Sequence, residues 1–483
     1  MDGHYNGFTG SCLVPCCAIY GAVGYFRQRT GADDLVNYDE PLTDQRWSVM
    51  LDELTHDHHV PGAQLEIRWQ GRRMSAVSGY EVHGTDRPVT ARSKIPAGSI
   101  GKAFTATVAM MLVADGDLGL DDPIDEHLTD LRCGHDLFDR LTPRQLLSHT
   151  SGLPGSLDEI VSAAAATSSR RYLTECARQA VPVCPPGTAF SYSNVGYVLV
   201  GHLIEVITGL TWHEAVESTL LRPLGIEPAF IVGGAGSGGP ISPGHAVNPR
   251  TGRTQPVAQT VTPALAAVGG LALSAHDLAA FAALHLPSDN GILDPAMIEL
   301  THRAVPSAEP FGLADGWGLG LAIFRHGRRA WVGHDGTGDG TSCHLRFDPV
   351  DEVVVAFASN ASTGNLLWQD LVGELRTAGL AVGDYQSPVA LDRPLPPPPE
   401  CFGRYVNGET EYSVAPRDGR PCVAVHGEIF RELAVHDRGV FSVRDPMTGR
   451  RINGGRFLAN PRTGRINGLQ TGGRIARRLE PAA

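Results

Sequence analysis

The chain has 483 residues, 42% of them hydrophobic and 19% charged, with a net charge of −12. That length suggests two or three domains of ordinary size, and the composition excludes a disordered chain. The acidic balance argues against a generic nucleic-acid binder, whose domain would be basic.

The charge is unevenly placed. Residues 391–483 hold fifteen arginines and ten acidic residues, a balance of +5, so the first 390 carry −17. Lys94 and Lys102 are the only lysines, which leaves lysine-dependent motifs little room to arise by chance. The nine cysteines form no C-x-x-C pair, as suits reduced thiols in a cytoplasmic protein.

Residues 1–38 form an extension of unassigned role. Its apolar stretch Cys12–Phe26 is interrupted by Pro15 and preceded by no Lys or Arg, so it reads as neither a secretory signal nor a membrane span. Thr43 caps a helix reaching about residue 59, with Trp47, Met50, Leu51 and Leu54 on one face. Strands are expected at 63–69 and 73–79, joined at Gln70-Gly71. A helical region broken by Pro and Gly spans about 143–221, and 233–244 reads as a loop. Helices are expected at 273–286 and 295–302. Strands follow at 317–324, 330–333, 342–348 and 352–359, then a helix at 363–379.

This order predicts an α+β fold: an antiparallel sheet sandwiched by helices, beside an all-helical subdomain, over residues 39–390. The Pro-rich stretch 391–399 is a stiff linker. Residues 400–483 show short strands and the turns Asn407-Gly408, Asn453-Gly454 and Asn467-Gly468, which predict a small antiparallel β-barrel or sandwich.

Three short motifs carry chemistry. Ser99-Ile100-Gly101-Lys102 is an S-x-x-K opening an apolar helix, where a spacing of three puts both side chains on one face. A desolvated lysine can take the proton of a serine hydroxyl and make it a nucleophile. Tyr192-Ser193-Asn194 is a Y-x-N on a loop entering a helix: Tyr192 suits proton relay and Asn194 suits orientation of lysine and substrate. His334-Asp335-Gly336, an H-x-G, ends the strand-like Ala330-Trp331-Val332, and its glycine lets a substrate backbone lie along a strand edge. The oxyanion hole is then expected from the N–H groups of Ser99 and Thr337.

In this order the motifs resemble the serine β-lactamase and penicillin-binding-protein superfamily, with support from residues 146–153 (LLSHTSGL), 185–194 (PPGTAFSYSN) and 269–277 (GGLALSAHD). H-x-G replaces the K-T-G of many members, a departure shared by the esterase and peptidase branches. Residues 221–231, 308–321 and 331–336, with the C-terminal β-domain around 405–412, look like the penicillin-binding-protein-type thioesterases. That resemblance implies a lipocalin-like barrel and a stand-alone enzyme of nonribosomal peptide assembly. Such an enzyme takes a peptidyl thioester from a phosphopantetheinylated carrier protein onto Ser99. It releases the peptide as a head-to-tail macrolactam, with a D-residue at the acyl end. Substrate contacts are expected at Asp335, Gly336, Gly269, Gly270 and Trp317, with Arg474 of the barrel facing the site.

Other readings remain. A D-amino-acid-selective peptidase, amidase or esterase would use the same residues, and a non-catalytic scaffold would bind peptide or carrier protein in the cleft. Ala97-Gly98-Ser99-Ile100-Gly101 nearly matches the G-x-S-x-G elbow of an α/β-hydrolase, which would need a preceding parallel strand. His149 reads as structural. The His56–His59 run makes a poor ligand set, so neither metal nor other cofactor is expected. The oligomeric state is left open.

Overall fold

A computed structural model describes residues 43–131, 138–157, 161–162, 165–233, 240–287, 291–391, 393–427, 431–445 and 449–479. The extension 1–38 lies outside the described residues. Thr43 Oγ1 accepts from the Arg46 N–H at 3.3 Å and starts helix α1, Asp44–Asp57. Strands β1 (Gly62–Trp69) and β2 (Arg72–Gly79) form a hairpin at Gln70-Gly71, both with positive φ. That geometry matches the twist of the two strands.

The sheet is completed by β3 (Gly316–Trp317), β4 (Ala322–His326), β5 (Arg329–Gly338), β6 (Thr341–Asp348) and β7 (Val353–Ser359). Its order is β2-β1-β7-β6-β5-β4-β3, with every pairing antiparallel. Both faces are buried, so side chains divide by parity. Val354, Ala356 and Ala358 join the core shared with helices α2 (Gly101–Asp115) and α7 (Ala275–Leu284), whereas Val355 and Phe357 pack with α1 and α9 (Gly364–Thr377).

The helical subdomain contains α3 (Pro143–Leu147), α4 (Ser169–Gln179), α5 (Asn194–Thr208) and α6 (Trp212–Val216). Helix α8 (Pro295–His302) precedes the return to the sheet. Two expectations need correction. The strand expected at 317–324 is broken, because Gly318 and Gly320 turn the chain between β3 and β4. The strand expected at 330–333 runs on to Gly338, so the H-x-G lies inside a strand and does not end it. Glycines at 333, 336 and 338 hide the alternation in the sequence, while pairing with β6 carries the strand through them. The chain before Ser99 is a two-residue strand, Ile95–Pro96, antiparallel to Ala272–Leu273. This overturns the α/β-hydrolase alternative.

The C-terminal domain is a closed, eight-stranded antiparallel barrel. Its strands are β8 (Gly403–Asn407), β9 (Thr410–Arg417), β10 (Arg420–Val425), β11 (Arg431–Val435), β12 (Val440–Arg444), β13 (Arg451–Ala459), β14 (Ile466–Thr471) and β15 (Arg474–Arg478). Each pairs with its neighbour in sequence and β8 closes on β15, an up-and-down arrangement. Side chains including Tyr405, Tyr412, Phe441, Phe457 and Leu469 fill its interior. In the preceding Pro-rich stretch, the Leu395 N–H donates to the Val435 carbonyl at 2.7 Å, which lays that segment on the barrel.

Candidate active site

Ser99 sits in a single 3₁₀ turn, Gly98–Ile100, that runs directly into α2. Gly98 has φ +53°, and a Cβ there would come 2.4 Å from the Thr337 carbonyl oxygen. A Cβ on Gly336 would come 1.9 Å from the Ala97 carbonyl oxygen. Glycine at both positions therefore lets the nucleophile's turn lie backbone to backbone on β5. Ser99 is half-buried, while Lys102 is fully buried. Lys102 Nζ donates to Ser99 Oγ at 3.1 Å and to the Val268 carbonyl at 3.2 Å.

Tyr192 lies beside this pair, with its ring centroid 5.0 Å from Lys102 Nζ. The local sequence explains its placement. Ser193 is the N-cap of α5, its Oγ accepting from the Gly196 N–H at 3.0 Å and donating to the Pro154 carbonyl at 2.7 Å. Tyr192 and Asn194 flank that cap, and Asn194 Oδ1 is buried without a hydrogen-bond partner.

His334 comes from β5. Its Nδ1 is 2.6 Å from the Asp335 carbonyl oxygen, which can only accept. Nδ1 therefore carries the proton in the neutral ring, and buried Nε2, with no hydrogen-bond partner, presents a lone pair. Burial, reinforced by the Lys102 charge, lowers the His334 pKa to about 4. The ring is neutral in ordinary buffers. Trp317 stands edge-on to both His334 and Tyr192, with centroids at 5.3 and 5.8 Å.

β4 pairs with β5 only as far as Ala322 opposite Gly333. Among the described residues no strand pairs with 334–338 on that side, which leaves a short edge next to Ser99 able to accept an extended peptide. Thr337 belongs to this edge and lies against the Gly98 turn.

Asp335 does not share the site as expected. Strand alternation turns its carboxylate to the opposite face. There Arg346 donates to it at 2.7 and 3.0 Å, and His344 Nδ1 lies 2.7 Å away. Burial raises the Asp335 pKa, but the charges and hydrogen bonds of Arg346 and His344 outweigh it and hold the group well below the carboxylate range. Arg346 is fully buried against the Phe324 ring and also donates to Asp384 at 2.7 Å. Asp335 thus braces the back of β5, and Gly336 supplies backbone to its front. Gly269 packs against Gly98 and Gly101, directly after the Val268 carbonyl that holds Lys102. Gly270 is buried, its N–H donating to the Ala266 carbonyl and its carbonyl accepting from the Ile231 N–H, each at 2.9 Å, so its backbone groups are already engaged.

Arg474 does reach the site: its guanidinium carbon is 5.1 Å from the Tyr192 ring centroid. Two residues given no part in the site by sequence reasoning also lie here. His149 stacks on Tyr192 at 4.2 Å, and its Nδ1 accepts from the Ser193 N–H at 3.1 Å. Burial, with the charge of Lys102, holds its pKa well below the usual value. Asn407, the end of a second Y-x-N match in the barrel, is buried against Gly155 and Ser191. The signal for His149 was its S-H-T-S-G turn; Asn407 had none beyond that short match.

Among the described residues, no cluster of three His, Cys, Asp or Glu side chains could hold a metal, and His58 pairs with Asp370 at 2.9 Å. No single described helix is long and apolar enough to cross a membrane.

The fold and the Ser–Lys pair define an enzyme of the serine hydrolase type acting through an acyl-enzyme. The chain belongs to the beta-lactamase family, whose family model matches residues 47–372. It is 30% identical over 366 residues to Penicillin-binding protein 4 of Amycolatopsis lactamdurans, covering 74% of this chain and 96% of that protein. The crystal structure of SurE matches with a TM-score of 0.79 and 39% identity, covering 90% of this chain and 99% of that one. SurE with D-Leu matches at 38% identity and a TM-score of 0.76, with the same coverage. The octameric penicillin-binding protein homologue of Pyrococcus abyssi shares the fold, at 22% identity and a TM-score of 0.59 over 90% of this chain and 99% of that one.

Proposed function

We propose that this protein is a trans-acting thioesterase and peptide cyclase. It accepts a carrier-protein-bound peptidyl thioester on Ser99 and releases it as a head-to-tail macrolactam. The observation that carries this reading is the likeness to SurE across both domains, barrel included, with a D-amino acid held by that protein in one structure.

The geometry supports each step. With Lys102 neutral, the 3.1 Å contact lets the Ser99 hydroxyl pass its proton to Nζ as Oγ attacks the thioester carbonyl. The developing oxyanion is held by the Ser99 and Thr337 N–H groups. Tyr192, between Lys102 and Arg474, relays a proton to the departing thiol. His334 Nε2 and the Asn194 carboxamide orient the amine and the acyl chain. The peptide's own N-terminal amine then attacks the ester and loses its proton to the Lys102–Tyr192 pair, and Lys102 returns a proton to Ser99 Oγ as the ester C–O bond breaks. A folded peptide held with its amine near the ester outcompetes water through effective concentration. The arginine-rich barrel, at +5, suits an acidic carrier protein.

A synthetic linear peptide thioester ending in a D-residue, and its L epimer, test the reading by mass spectrometry. A product one water lighter than the free acid, from the D form only, is expected. Free acid alone would favour the D-selective hydrolase. A fluorophosphonate that leaves Ser99 unlabelled, together with tight peptide binding, would favour the scaffold.

A further inference from the structure

Four consecutive backbone N–H groups hold the Y-x-N segment: His149 takes two of them, the barrel takes one directly, and the fourth goes to a residue that the barrel holds. Ser191 donates to the His149 carbonyl at 2.8 Å, and Ser193 donates to His149 Nδ1 at 3.1 Å. Between them, Tyr192 donates to the carbonyl of Gly473, in the β14–β15 turn of the barrel, at 2.9 Å. Asn194 donates to the Gly155 carbonyl at 2.7 Å. Gly155 is itself tied to the barrel, because its N–H donates to Asn407 Oδ1 at 2.6 Å. Asn407 Nδ2 donates to the Ile475 carbonyl at 2.8 Å, and the Ile475 N–H donates to Ser191 Oγ at 3.2 Å. Asn407 and Ser191 are buried, at 2% and 0% exposure.

We propose that Asn407 is a positioning residue of the catalytic centre, and that the barrel is a working part of the acid–base machinery in addition to covering the cleft. His149 fixes Ser191 and Ser193, while Gly473 of the barrel and the Asn407-held Gly155 fix Tyr192 and Asn194, so Tyr192 keeps its place beside Lys102 only while both sets of bonds are made. Buried amide groups that lose their partners seek others, and small displacements of a proton-relay group cost rate steeply. The inference rests on the acyl-enzyme reading of Ser99, Lys102 and Tyr192.

The test uses the full chain with fluorophosphonate labelling of Ser99, read as a maximal rate and a half-saturating concentration, and amide hydrogen exchange at 191–194. Asn407→Ala should slow maximal labelling by about tenfold or more at an unchanged half-saturating concentration. It should also speed exchange at Tyr192 and Asn194. Gly473→Ala is the second variant: its φ of +70° and a Cβ 2.3 Å from Leu313 should shift the turn and give the same pattern. Arg420→Ala, which removes an exposed barrel ion pair to Glu432 with no contact to this segment, should leave both readouts unchanged. Folded Asn407→Ala and Gly473→Ala proteins with wild-type labelling rate or wild-type exchange would overturn the proposal. So would an Arg420→Ala protein as slow as the other two. Wild-type protein that does not label at all would overturn the acyl-enzyme reading and the catalytic role with it, while exchange at 191–194 would still report whether the barrel holds the segment.

Discussion

Lys102 Nζ and Ser99 Oγ are 3.1 Å apart, and the Val268 carbonyl holds the same amine at 3.2 Å. The amine is thereby pinned between its proton partner and a fixed backbone dipole. Ser99→Ala should abolish acyl-enzyme formation, and Lys102→Met should slow it by about 10²–10⁴-fold, the usual worth of a general base. Because methionine nearly matches lysine in volume, the melting temperature of Lys102→Met should hold or rise. Intact-mass detection of the adduct and a thermal scan check both. Normal acylation by Lys102→Met would remove the base from the mechanism.

Titration of His334 sets an acid limit. Its folded pKa of about 4 lies below the ordinary histidine value, with burial as the first cause, so the unfolded chain takes up the proton first. The contribution to stability is complete above about pH 6.5, shrinks as pH falls, and is lost below about 4, a total of about 3 kcal/mol. His302, lowered to about 4 by burial, acts with the same sign. Activity should fall on an acid limb near pH 4 as Nε2 is protonated beside Lys102. His334→Asn should lose that limb along with most of the rate. A pH–rate profile on both proteins, with urea unfolding at pH 7 and pH 5, would show it.

The back of β5 offers a separation of stability from binding. Arg346→Leu takes a fully buried cation from the half-buried carboxylates of Asp335 and Asp384, which should cost about 1.5–3 kcal/mol in denaturant unfolding, the worth of hydrogen bonds to charged groups. Asp335→Asn should lower stability by less and leave KM for substrate within about twofold, since that side chain faces away from the cleft. A large rise in KM at unchanged stability would restore Asp335 to the substrate site.

Gly98 should tolerate no side chain. Its φ of +53° and the 2.4 Å approach to the Thr337 carbonyl mean that Gly98→Ala must push the nucleophile's turn off β5. A loss of about 10²-fold or more in acylation is expected, because the oxyanion donors and Oγ then no longer share one geometry. Gly116→Ala, at φ +82° with no atom within 4 Å, is the matched control for strain alone. If the two variants lose rate equally, the close approach at Gly98 is not what matters.

Much of this was legible in the chain itself. Hydrophobic periodicity located α1, the β1–β2 hairpin, α8 and α9, because amphipathic helices and half-buried strands carry their burial in local spacing. S-x-x-K, Y-x-N and H-x-G could be ordered as nucleophile with base, relay and third motif, because each is a short chemical unit. Element order pointed to the antiparallel sheet with its helical subdomain, turn signals to the small β-domain, and the superfamily resemblance to its lipocalin-like form. The extent of β5 was hidden, since glycines erase the alternation that marks a strand and only pairing with β6 restores it. The direction of Asp335 followed from that strand. The roles around Tyr192 were hidden for a different reason. His149 and Asn407 are 43 residues before and 215 residues after it in sequence. A backbone hydrogen bond leaves almost no mark on residue identity at the acceptor, as at Gly473, Gly155 and Val268. The sequence therefore determined which groups could do chemistry. Tertiary structure decided where those groups stand, because their placement depends on contacts between distant segments that no local pattern encodes.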